Sequence, residues 1–204
     1  MSIFRTLTEK PWLVDGVISD PSDAQLMSIP TSKFGLRVFI AVATVVFSLT
    51  IVTYADRMLA ADWRALPEPL VLWLNTALLI MSSVAFQRAW NSAKRGQMDG
   101  VKSGMLLAGG FAFAFLIGQF IAWRQMIGLG YFAATNPANA FFFLVTALHA
   151  VHLLGGLVAW VRASAKLRRG DALDKVRLSV ELCTIYWHFL LIIWLLLFVL
   201  LLFT

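Results

Sequence analysis

The sequence predicts an all-α, polytopic membrane protein with five transmembrane helices, its N-terminus cytoplasmic and its C-terminus outside. Three observations predict it. Of 204 residues, 60% are hydrophobic and 14% charged, a balance poorer in charge than soluble domains show. Apolar runs of ~20 residues, enough to cross ~30 Å of hydrocarbon, recur along the chain. The basic residues collect in alternate connections between those runs, and such clusters mark the cytoplasmic side.

Residues 1–33 read as a cytoplasmic N-terminal segment. They carry Glu9, Asp15, Asp20 and Asp23 and no apolar core, which is not the pattern of a cleaved signal peptide. Asp20-Pro21-Ser22-Asp23 reads as an N-cap, a proline at the first helical position and an acid in the first turn, so a short helix is expected over about 21–27. A bundle of five spans follows over 34–204. They are expected near 34–54, 70–90, 103–126, 139–161 and 179–203. Each is read as a helix, because a lone segment in lipid must satisfy its own backbone hydrogen bonds.

Individual spans carry further signals. Trp63, Pro67 and Pro69 between the first two, with Trp73 just inside the second, form an interfacial belt. The third span carries Gly110, Ala114, Gly118 and Ala122 at four-residue spacing, read as a small-residue packing face. The fourth, with Gly156 among broadly distributed small residues, is expected to lie inside the bundle. The fifth ends in LLIIWLLLFVLLLF, apolar all round and expected to meet lipid on much of its surface.

Charge sets the topology. All of the 17 basic residues except Arg57, Arg64 and Arg124 fall before or at the start of the first span, from the end of the second to the start of the third, or between the fourth and fifth. The net charge of +6 is thereby accounted for by membrane orientation, and no part of the chain reads as a nucleic-acid-binding module. The one cysteine, Cys183, lies within the fifth span, which rules out a disulfide framework and reads as an inert buried thiol.

Three histidines are all the chain has, and each sits within a span. His149 and His152 lie on adjoining parts of one helical face. His188 lies similarly deep in the next span, with Glu181 two turns nearer the cytoplasm. Ionisable side chains are costly in hydrocarbon and invite a functional reading. Three readings are open. Two histidines from different helices would ligate a haem b. Glu181 and the imidazoles would form a proton path. Or these groups fasten helices to each other and to lipid headgroups, the reading favoured here. A zinc site lacks a fourth ligand.

The same residues carry a resemblance. Thr146, His149, His152 and Gly156 stand in a T-x-x-H-x-x-H-x-x-x-G pattern, and Glu181, Tyr186, Trp187, His188, Phe189 and Trp194 in E-x4-YWHF-x4-W. Leu74, Asn75, Thr76, Ser82 and Ser83 resemble an L-N-T…S-S signature, Gln119 and Trp123 a Q-x-x-E-W stretch, and SKFGLRVFI the start of a first common helix. In order on successive spans, these patterns resemble subunit III of the haem–copper respiratory oxidases.

That resemblance implies a five-helix bacterial form in the cytoplasmic (inner) membrane. It implies no catalytic residue, metal or cofactor in this chain, with haem and copper in partner subunits. The partners would be catalytic subunit I and subunit II of a proton-pumping oxidase fed by cytochrome c or quinol. Bound phospholipid would be structural. Asn75, His149, His152, Glu181, Trp187 and His188 are then the expected lipid or interhelical residues, and Gly110, Ala114, Gly118 and Gly156 the packing residues. Three carboxylates of the family pattern are missing, with Ala43, Ala122 and Leu191 in their places. A different respiratory partner, such as a nitric-oxide reductase, is the alternative.

Overall fold

A computed structural model of the chain describes residues 31–61, 63–64 and 70–203. The chain divides into two units, Met1–Gly35 and Leu36–Thr204. Of the first, only the opening of one helix is described. The short helix expected over 21–27 lies outside the described residues, as do Pro67 and Pro69.

The described residues hold five helices: α1 (Thr31–Arg57), α2 (Val71–Lys94), α3 (Met98–Gly128), α4 (Pro137–Arg169) and α5 (Leu173–Leu202). All five are long and apolar enough to cross a membrane. They outrun the predicted apolar spans. α4 continues beyond residue 161 to Arg169, with Lys166, Arg168 and Arg169 in its last turn. Basic residues at a helix C-terminus favour the helix dipole. Apolarity therefore ends before hydrogen bonding does. The helix stops at Gly170, whose φ of 72° is a left-handed conformation that other residues resist. The Asp171 N–H then bonds the Lys166 carbonyl at 3.2 Å, closing a Schellman turn. At its other end Pro137 follows Asn136, whose side chain accepts from Ala138 N–H at 3.2 Å.

α2, α3, α4 and α5 form a ring. Each packs against its two neighbours, α2 on α3 and α5, and α4 on α3 and α5. α2 and α3 approach most closely because both present small residues. A Cβ on Gly104 would meet the Ala89 backbone nitrogen at 3.0 Å, and Ser82 donates to the Ala108 carbonyl at 2.8 Å. Close backbone approach through small side chains is the usual packing route in lipid.

α1 is different. None of its Cα atoms lies within 8 Å of a Cα on another helix. It touches the ring through one seam, of which Ala43, Phe47 and Tyr54 are buried and Leu36, Ile40 and Ile51 partly so. Those positions recur at three- and four-residue steps, one face of a helix.

The four-residue stripe expected on α3 is corrected. Gly118 and Ala122 are buried, Ala114 is half-buried, and Gly110 is exposed with nothing within 4 Å of where its Cβ would be. A four-residue step overshoots a helical turn by about 40°, so the stripe winds off the inner face by Gly110. The buried line instead runs through Val101, Met105, Ala108, Ala112, Phe115, Gln119, Ala122 and Met126, alternating steps of four and three. Gly109, not Gly110, makes the close contact.

Candidate functional site

The inner face of α4 presents Thr146, His149, Leu153 and Gly156. His149 is fully buried in the ring. Its imidazole lies 5.1 Å from the Trp194 ring of α5, 5.8 Å from Phe115 of α3 and 6.4 Å from Phe47 of α1. Neither ring nitrogen has a hydrogen-bond partner among the described residues.

His152, one turn on, is half-buried and packs at 5.0 Å on Phe47 and 6.1 Å on Phe39. Its Nδ1 lies 2.8 Å from the Leu148 carbonyl. A carbonyl only accepts, so Nδ1 carries the proton and Nε2 is the free acceptor. His188 repeats the arrangement on α5, with Nδ1 donating to the Thr184 carbonyl at 2.7 Å.

The histidines and Glu181 were expected to hydrogen-bond between helices and to lipid headgroups. For the imidazoles the interhelical hydrogen bonds are corrected: those of His152 and His188 turn back on their own helices, and His149 meets its neighbouring helices through ring contacts. The bonds between helices come from other side chains. Tyr186 O–H donates to the His152 carbonyl at 2.9 Å. Trp194 donates to Thr76 Oγ1 at 2.9 Å, Trp123 to Thr146 Oγ1 at 3.0 Å, and Trp160 to the Met105 carbonyl at 2.8 Å. The interior tryptophans were not anticipated as donors. Trp123 and Trp194 were visible only as motif members, and the sequence signal for Trp160 is Gly109, over which its ring lies.

Other expected residues are also placed. Asn75 is fully buried on α2 and donates to Gln119 Oε1 of α3 at 3.4 Å. It lies against Gly118, where a Cβ would collide with its amide oxygen. Trp187 is fully buried, its ring centroid 4.5 Å from that of Phe86 on α2 and against Gly156 of α4. Ala43 and Ala122 are 2% and 0% exposed, and Leu191 is half-buried. At those three positions the carboxylate of the family pattern is replaced by apolar packing.

Glu181 and His188 share an open groove of about 660 Å³ with Gln87, Trp90 and Lys94 of α2 and Ile40 of α1. The Lys94 ammonium stands 4.8 Å from the Trp90 ring centroid, within cation–π range. One groove thus combines an acid, an imidazole and a cation with apolar walls. Among the described residues, no three His, Cys, Asp or Glu side chains are grouped to hold a metal ion.

Comparison with known proteins bears on what these residues serve. Residues 30–204 match the family described as cytochrome c oxidase subunit III. A cytochrome c oxidase subunit 3 of Corynebacterium diphtheriae is 29% identical over 124 residues, 61% of this chain and 60% of that one. That of Thermostichus vulcanus is 29% identical over 135 residues, 66% of each. That of Mycosarcoma maydis is 31% identical over 126 residues, 62% of this chain and 45% of the relative. The chain therefore spans less than two thirds of the length of these three relatives.

Proposed function

Because this chain belongs to the cytochrome c oxidase subunit III family, we propose that it is a non-catalytic subunit of a proton-pumping haem–copper terminal oxidase. In this reading it packs against catalytic subunit I, in a complex with subunit II, and stabilises it. It also holds structural phospholipid. It lies in the bacterial cytoplasmic membrane with its N-terminus inside, as the distribution of basic residues favours.

The observation that carries the reading is where the two strongest motifs meet. T-x-x-H-x-x-H-x-x-x-G on α4 and E-x4-YWHF-x4-W on α5 pack on each other through Tyr186 and His152, Trp187 and Gly156, and Trp194 and His149. Residues so used build an interior. A haem held by His149 would need the space in which Phe115 and Trp194 pack around its ring. In this reading haem and copper belong to the partner subunits, and the rings packed around His149 support the part of it that keeps haem off that residue.

The groove holding Glu181, His188, Trp90 and Lys94 supports the lipid part of the reading. His188 Nε2 is left as an acceptor, suited to the ammonium or hydroxyl of a headgroup, and Lys94 is suited to a phosphate.

Purification through a tag on this chain, from gently solubilised membranes, tests the proposal. A haem-bearing catalytic subunit should accompany it, and the isolated chain should show no stoichiometric Soret band. Such a band in the isolated chain, or no co-purifying oxidase subunit, would overturn the reading.

A further inference from the structure

A second groove lies between α2 and α3, away from the histidines. It has a volume of about 680 Å³ and is lined at one end by Arg88, Asn91 and Arg95 and at the other by Ile80, Leu107 and Phe111. Its polarity changes along its length. Gly100 and Gly104 also line it. At Gly104 the two helices touch backbone to side chain, while the larger side chains on either side form walls.

Three features define what fits. Among the described residues neither Arg88 nor Arg95 has a carboxylate within ion-pair distance; the ion pair here joins Lys102 to Asp99 at 3.7 Å. Both arginines are exposed and present planar donors that match phosphate oxygens. The axial rise from Ile80 to Arg95 is about 22 Å, close to half of a ~40–45 Å bilayer with its headgroups. The basic end lies on the side of the chain assigned to the cytoplasm, where the leaflet is rich in anionic lipid and basic pockets between helices take acidic headgroups.

We infer that the α2–α3 groove binds one anionic phospholipid. Arg88 and Arg95 hold its phosphodiester and Asn91 supplies a further polar contact. An acyl chain lies along Ile80, Leu107 and Phe111. This site is distinct from the groove at His188, because the two open on different flanks of α2.

Native mass spectrometry of the chain in its purified complex tests this. The complex is released from mixed micelles holding equal amounts of dioleoyl phosphatidylglycerol and dioleoyl phosphatidylcholine. Wild-type protein should retain the phosphatidylglycerol preferentially. The R88Q/R95Q variant should lose that preference by roughly ten- to thirty-fold, since each surface cation is worth on the order of five-fold. R88K/R95K should keep most of it. Equal retention of the two lipids by wild type, unchanged retention in R88Q/R95Q, or displacement by millimolar inorganic phosphate would each overturn the assignment. If R88Q/R95Q does not assemble, the wild-type lipid ratio and the R88K/R95K variant still decide.

Discussion

Trp194 donates its indole N–H to Thr76 Oγ1 at 2.9 Å, joining α5 to α2. The same hydroxyl donates to the Leu72 carbonyl at 2.8 Å, so it is both acceptor and donor. The indole also meets Phe115 of α3 edge-on at 4.9 Å and His149 of α4 at 5.1 Å. One side chain of α5 thus touches each of the other three helices of the ring. The apolar end of α5 accordingly has two sides. Trp194, Leu197, Phe198 and Leu201 are buried, while Ile192, Leu196 and Val199 are exposed.

Replacing Trp194 with Phe and Thr76 with Val, singly and together, should reveal a coupling of about 0.6 kcal/mol, and up to ~1.7, the range for hydrogen bonds between transmembrane helices. Unfolding of the four proteins in mixed micelles measures it. Strict additivity would mean that the bond contributes nothing to stability. Trp194→Phe alone should cost more than the coupling, because the fully buried indole leaves a void.

Gly109 and Gly110 are adjacent and should behave oppositely. A Cβ at Gly109 would collide with the Trp160 ring, whereas one at Gly110 meets nothing within 4 Å. Gly109→Ala should destabilise the chain by about 1–3 kcal/mol, the usual cost of overpacking. Gly110→Ala should be neutral or stabilising by up to ~1 kcal/mol, because alanine is the better helix former. Thermal unfolding of the two variants in one detergent separates them. Equal effects would contradict the inner face described for α3.

Tyr186, rather than His188, should fasten α4 to α5. Tyr186→Phe removes the bond to the His152 carbonyl and should cost about 0.6 kcal/mol in lipid. His188→Leu removes a bond to its own helix from a half-buried position, so stability should change by no more than about 0.5 kcal/mol. Under the proposed function, His188→Leu should instead reduce the phospholipid that co-purifies with the complex. A His188→Leu chain that unfolds readily would restore histidine as the interhelical fastener.

Five helices were legible because lipid imposes one rule: a long apolar run closes its own backbone hydrogen bonds. The helix ends were less so, since α4 carries its basic residues inside the helix to Arg169. The α3 face was misread at Gly110, because a four-residue repeat and a helical face diverge over three turns. The partners of the histidines were not legible at all. A helical histidine can turn back to its own i−4 carbonyl, as His152 and His188 do, or leave both ring nitrogens without a partner among the described residues, as His149 does. Motif spacing shows that such a residue lies inside the span and leaves its partner open. Trp194 and Thr76 were likewise visible as motif members, but their bond depends on which helices are neighbours in the ring.

α1 provides the last test, because its attachment differs in kind from that of the others. Its Cα atoms stay more than 8 Å from every Cα on the other helices. It is held by side chains, with Phe47 fully buried against His149 and His152 and Tyr54 against Phe141 at 5.3 Å. Lipid tails are as apolar as phenylalanine, so no hydrophobic force keeps α1 in place, and shape-matched contact must do so. Phe47→Ala should therefore loosen α1 without opening the ring. Hydrogen exchange in nanodiscs should quicken over residues 36–54 while α2 to α5 keep their protection. A comparable increase along α4 and α5 would show instead that Phe47 supports the ring through His149.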